Sequence, residues 1–180
     1  FSKVHARGSF NVVLTDGTDR KVRVEAEENL QQYITIEVED DALVIATKKL
    51  VSLRPTKAMT IYITAHALES VKLSGSGNVK STNTLTGSDE FEAKSSGSGN
   101  MMLDVETNSL DIAISGSGNM SLKGKTKSLD GSISGSGNIR ARNLQADDTS
   151  IKISGSGDAE VVANVKLDSK ISGSGSVKYW

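Results

Sequence analysis

The stretch KLSGSGNVKS, residues 72–81, decides the fold. Its Ser-Gly-Ser-Gly-Asn core is written six times, starting at Ser74, Ser96, Ser115, Ser134, Ser154 and Ser172, with Asp158 and Ser176 replacing the Asn in the last two copies. The first glycines are Gly75, Gly97, Gly116, Gly135, Gly155 and Gly173, spaced by 22, 19, 19, 20 and 18 residues. A fixed period of this length marks a repeat architecture, in which each unit buries its apolar face only against the next. The flanks show whether the unit is helical or extended. Ile151 and Ile153 alternate with polar residues before one copy, and Ala159 and Val161 do so after it. Leu110, Ile112 and Ile114, then Met120 and Leu122, repeat the pattern around another. Period 2 is the signature of a half-buried strand.

Each repeat therefore reads as strand, Gly-Ser-Gly turn, strand and a looser polar return such as KGKTKS at 123–128. The expected fold is all-β, a right-handed parallel β-helix with one such turn per coil and coils stacked at about the 4.8 Å strand spacing. The competing fold is a meander of hairpins, which wants two-residue turns such as Asp-Gly. The only Asp-Gly pairs are Asp16-Gly17 and Asp130-Gly131, and the second lies inside an alternating segment. A glycine turn serves the solenoid because it takes backbone angles, or packs at distances, that a Cβ forbids. The structural turn residues are Gly75 and Gly77, Gly97 and Gly99, Gly116 and Gly118, Gly135 and Gly137, Gly155 and Gly157, and Gly173 and Gly175. Asn78, Asn100, Asn119 and Asn138 then recur one coil above another and are expected to form a ladder of amide hydrogen bonds. A strand running straight through would put the glycines inside and Ser and Asn outside; a corner, the expectation adopted, breaks that parity.

The first 73 residues are less regular. RGSFNVVLTDG at 7–17 reads as a degenerate motif with Phe10 in place of the second glycine. Ile34–Val38 and Leu43–Ala46 read as a hairpin joined at Glu39-Asp40-Asp41-Ala42, and TKKLVSLRPTK at 47–57 as a basic loop around Pro55. The expected organisation is one domain: residues 1–73 cap the solenoid, and residues 74–180 form the regular coils. Tyr179 and Trp180 are expected either to cap the open core or to begin a further coil.

With 21 basic and 22 acidic residues, the chain has no long-range attraction for nucleic acid or anionic membranes. It has no cysteine, which excludes disulfides, thiolate catalysis and cysteine zinc sites. No stretch approaches the roughly 20 apolar residues of a membrane helix. The start at Phe1 rather than Met is what a processed or trimmed chain shows.

Six Ser-Gly-Ser-Gly-Asn-like copies preceded by FSKVHARGSFNVVLTDG and VEAEENLQQYITIEVEDDALVI resemble the head GIN domain family of auto-transporter adhesins, surface proteins of largely Bacteroidetes origin. The resemblance covers essentially the whole chain. It implies a right-handed β-helix, export to the outer-membrane surface, periplasm or medium, and an adhesive role. It carries no functional residues over.

The residues themselves offer little catalysis. His5 and His66 lack partners at metal spacing. The serines recur too evenly for one to be a positioned nucleophile, and no Gly-x-Ser-x-Gly elbow occurs. Glu25, Glu27 and Glu28, and Glu37, Glu39, Asp40 and Asp41, read as solvent faces and a turn rather than a calcium site or a sugar-cleaving pair. The motif lacks the third glycine and the helix of a phosphate loop, and the period-nine calcium repeat is absent. Tyr33, Tyr62, Tyr179 and Trp180 are the aromatic candidates for sugar contact. No cofactor or metal is expected. The expected function is a non-enzymatic interaction module whose partners are glycans or cell-surface proteins, with homo-oligomerisation open. The alternatives are a carbohydrate-active enzyme of pectin-lyase shape, its cleft within residues 19–57, and a structural spacer or self-assembling module.

Overall fold

Short alternating segments cannot close a core alone; they bury it by stacking on one another. The computed structural model is a parallel β-solenoid of about six turns, and it describes residues 1–48 and 59–180. The basic loop read at 47–57 lies, from residue 49 onward, outside the described residues. In chain order the elements are β1 (Lys3–Arg7), β2 (Phe10–Asp16), β3 (Lys21–Glu25), the one-turn helix α1 (Glu28–Gln31), β4 (Ile34–Glu39), β5 (Ala42–Thr47), β6 (Met59–Ala65), β7 (Ser70–Ser74) and β8 (Asn78–Ser81). They continue with β9 (Glu90–Gly97), β10 (Asn100–Gly116), β11 (Asn119–Gly135), β12 (Asn138–Gly155), β13 (Asp158–Val161), β14 (Lys166–Gly173) and β15 (Ser176–Tyr179).

The Gly-Ser-Gly turn joins two ladders of parallel strands. The ladder before the turn, here the serine face, runs through β5, β1, β7, β9, the second halves of β10–β12, and β14. The ladder after it, the asparagine face, runs through β6, β2, β8, the first halves of β10–β12, β13 and β15. Inside, like stacks on like: Ile114, Ile133 and Ile153 are in register and each is at most 2% exposed. Burial of each such side chain is worth about 1.5–3 kcal/mol. Where the faces meet opposite the turn, inward Thr126 donates to the carbonyl of Ser128 at 2.9 Å, so a buried hydroxyl holds the corner.

Spacing predicts register in one telling case. The 20-residue interval before Gly155 places one residue too many opposite β11, so Ala141 and Arg142 together face Leu122, between Ser121–Arg140 and Lys123–Asn143. This is a bulge, and it turns Arg142 outward.

The coils are not laid down in sequence order. β1 and β2 form one coil; β5 and β6 stack on one side of it, and the chain then returns to place β7 and β8 on the other. Beyond β5 and β6, β4 and β3 pair antiparallel with them. Leu30 of α1 is buried, and Val24, Ala26, Ile34 and Ile36 pack against the core from this end. The hairpin at residues 39–42 forms, with Val38 opposite Leu43 and Asp40 and Asp41 both at positive φ (49° and 65°), the backbone of a type I′ turn. At the other end Tyr179 is in register with the core residue Val161 yet 64% exposed. Trp180 does not cover the core either; its ring stacks against the Arg142 guanidinium at 4.4 Å.

Candidate functional site: the asparagine face

The six first glycines adopt φ between 117° and 127°, a region side-chain-bearing residues avoid, and turn the chain from one face to the other. The second glycines are required by contact rather than by angle. A Cβ on Gly77 would sit 1.8 Å from the Phe10 carbonyl oxygen, and one on Gly118 2.0 Å from that of Gly99. The corner is present, but inside–outside parity returns across it: Leu73, Gly77 and Val79 are buried while Asn78 is exposed. The expected break of parity is therefore confined to the first glycine: Gly75 is exposed, while Ser76 and Asn78 face out and Gly77 faces in as a straight strand would place them.

Outside, the asparagines stack. Nδ2 of Asn138 donates to Oδ1 of Asn119 at 3.1 Å, and Nδ2 of Asn119 to Oδ1 of Asn100 at 3.3 Å. The same oxygens accept the backbone N–H of the next rung. Asp158 and Ser176 extend this: the backbone N–H of Asp158 donates to Asn138 at 2.9 Å and that of Ser176 to Asp158 at 2.8 Å. Asp and Asn share the acceptor oxygen, which is the part the ladder needs. The run also begins one coil before the first full motif, since Asn78 donates to Oδ1 of Asn11 at 3.3 Å. Asn11 was legible, because Gly8-Ser9-Phe10-Asn11 aligns with Gly75-Ser76-Gly77-Asn78 once Phe10 is accepted in the second glycine's place.

Next to the ladder, two residues along each strand, lies a second outward row: Tyr62, Val13, Lys80, Met102, Ser121, Arg140, Glu160 and Lys178, each in register with the next. Its first four members border a groove of about 500 Å³ against Asn11, Asn78 and Asn100. Met102 is 62% exposed there. The guanidinium of Arg23 on β3 stacks on the Tyr62 ring at 4.3 Å. The juxtaposition of Tyr62 with Val13 was not legible, because it depends on β6 lying beside β2.

The other candidate residues lie elsewhere. His5 stands on the serine face, 3.3 Å from the Ser74 hydroxyl, with its pKa lowered by burial and by the charges of Arg7 and Lys72. His66 meets Asp16 at 2.8 Å, and Asp16 also accepts from the Thr86 hydroxyl at 2.8 Å. Glu25 pairs with Arg23 at 3.9 Å, Glu28 occupies the first turn of α1, and Glu37 and Glu39 lie exposed on β4. Asp41 accepts from the Ser2 hydroxyl, which holds its carboxyl below the usual range. Among the described residues no three His, Asp or Glu converge as metal ligands, and no helix is long and apolar enough to cross a membrane.

On the serine face Lys72, Lys94, Ala113, Ser132, Lys152 and Lys170 form one outward row, and Glu92, Asp111, Asp130, Ser150 and Asp168 the next. Glu92 pairs with both Lys72, at 3.7 Å, and Lys94, at 3.4 Å. Asp111 and Asp130 stand beside Ala113 and Ser132 instead. Burial first, then the charges of Asp130 and Glu92, push the Asp111 pKa up.

No curated protein matches the chain. Among solved structures, a putative adhesin from Bacteroides fragilis is similar over 100% of this chain and 92% of its own, with 25% identity and a TM-score of 0.91. A putative adhesin from Parabacteroides distasonis shares the fold at 24% identity, the same coverage of both chains and a TM-score of 0.73. A protein from that organism named as a putative lipid binding protein does so at 21% identity, again over 100% of this chain and 92% of its own, with a TM-score of 0.71. The family model described as "Putative auto-transporter adhesin, head GIN domain" matches residues 1–180. The chain thus belongs to the head GIN domain family.

Proposed function

We propose that this domain is a non-enzymatic interaction module of an exported bacterial protein, acting as an adhesin. The observation that carries the reading is the asparagine face itself: a flat array of outward side chains repeated coil by coil, ending in a groove with an exposed thioether and a cation. Such a surface suits many weak contacts to a repetitive partner, and their sum gives avidity without any deep pocket. Membership of an adhesin family supports it. The test is retention of the purified domain on mucin, on bacterial polysaccharide and on lipid vesicles, with product release followed in the same samples. Saturable retention on the glycan surfaces without cleavage is the expected result. Retention on vesicles alone would replace adhesion with lipid binding.

A carbohydrate-active enzyme is the second reading, and the His66–Asp16–Thr86 arrangement is what favours it, since a carboxylate orients an exposed imidazole there. Turnover of any polysaccharide that His66→Ala abolishes would establish it.

A further inference from the structure

The asparagine ladder spends its hydrogen-bond donors unevenly. An Asn amide has two N–H donors, and at Asn78, Asn119 and Asn138 one of them goes to the preceding rung. At Asn100 only the backbone N–H reaches Asn78, at 3.3 Å, and among the described residues its side-chain Nδ2 donates to no protein acceptor. The interval before this rung is 22 residues rather than 19. Nδ2 of Asn11 likewise has no protein acceptor among the described residues. Both unspent amides border the groove.

The rest of the groove is of one chemical kind. Met102 and Val13 give it an apolar floor, Tyr62 a phenol, and Lys80 an ammonium with no ion pair among the described residues. None of the residues bordering it is a carboxylate; the Arg23 guanidinium stacked on the Tyr62 ring is itself paired with Glu25 at 3.9 Å, so Lys80 is the groove's uncompensated charge among the described residues. Amide donors aimed at hydroxyls, an apolar strip for a sugar ring's C–H face and uncompensated positive charge together match an anionic saccharide. Neutral sugars leave Lys80 unused, and an acyl chain leaves the amides unused. The groove also crosses the coils, so its polar groups recur at about the strand spacing of 4.8 Å, close to the advance per sugar along an extended glycan.

We propose that the groove between Asn100, Lys80, Met102 and Tyr62 binds anionic saccharides, carrying carboxylate or sulfate. The site deepens the adhesin reading and rests on it. The probes are an oligogalacturonate, a heparin-derived hexasaccharide and neutral cellohexaose, titrated calorimetrically into the whole domain. Variants are Lys80→Glu, Asn100→Ala and, as a charge control on the serine face, Lys152→Glu. The expected result is binding of one or both anionic oligosaccharides, weaker at high salt and weak or absent for cellohexaose. Lys80→Glu is expected to lower affinity by about tenfold or more and Asn100→Ala by about threefold to tenfold, as lost charged and neutral hydrogen bonds do. Lys152→Glu is expected to change it little. The two anionic probes separate a carboxylate from a sulfate requirement. Anionic-saccharide binding that survives Lys80→Glu would overturn the groove while leaving adhesion standing. Equal binding of cellohexaose would overturn the anionic class. Absence of saccharide binding, alongside retention on a protein surface, would overturn the site but not the interaction module.

Discussion

At the scale of single residues, the turn glycines and the stacked carboxylates carry the sharpest consequences. Gly118 has no room for a methyl group, because the obstacle at 2.0 Å is the backbone carbonyl of Gly99 in the neighbouring coil. Gly118→Ala is expected to cost at least about 2 kcal/mol, as overpacking against an unyielding neighbour does, read as a lowered urea midpoint. Asp111 behaves oppositely. Its pKa is raised in the fold above the ordinary 3.8, so folding favours its protonated form. The stability this confers is full below 3.8 and is lost as pH rises through the raised value. Asp111→Asn should therefore be more stable than the parent at neutral pH, and the advantage should vanish on acidification below the carboxylate range. Equal midpoints at neutral pH would refute the raised pKa and the burial and like charges that cause it. Asp111 could be read as an outward residue from alternation alone. Its unpaired state could not, because that follows from Ala113 and Ser132 interrupting the lysine row two residues further along the strands.

At the scale of the element, a ladder is a set of nearest-neighbour bonds, so its rungs are not equivalent. Asn119 accepts from Asn138 through both the backbone N–H and Nδ2 while donating to Asn100. Asn119→Ala removes all three and is expected to destabilise by about 1–2 kcal/mol, discounted for the solvent that replaces part of them. Asn100→Ala should cost less, since its own amide donates to no neighbour; thermal or chemical unfolding of the two variants side by side checks this. The recurring motif made the asparagine stack legible, and the drift to Asp158 does not break the hydrogen bond its oxygen accepts. What could not be read was the weak rung at Asn100, because an inserted length of chain shifts geometry without changing residue type. The hairpin at Asp40-Asp41 was read correctly from its flanking alternation even though neither turn residue is a glycine; two aspartates take up the positive φ values.

At the scale of the whole molecule, a solenoid is quasi-one-dimensional, and burial depends on position along its axis. Ile112 is fully buried in the middle of the stack, whereas Ile171 in the last coil is 42% exposed. Ile112→Ala is expected to cost about 2–5 kcal/mol and Ile171→Ala less than about 1 kcal/mol. Equal losses in denaturant unfolding would mean that the last coil is covered as well as the middle is.

The amino-acid sequence by itself determined the repeat length, the extended conformation, the Gly-Ser-Gly corners and the alternation of side chains along the strands that flank them; the second corner, near Thr126, lies in what reads as a looser return but is continuous strand. The alternation and the positive φ of the first glycine act within one coil; the second glycine already answers to the carbonyl of the coil beside it. Tertiary structure decided which coils lie next to one another. β5 and β6 stack outside β1 and β2, and β7 and β8 on the far side, because parallel strands pair across any sequence distance that closes the core. That order brings Tyr62 beside Val13 and, through Lys80, into line with Met102. The groove exists only because the chain went back on itself, and no pattern within a single repeat encodes it.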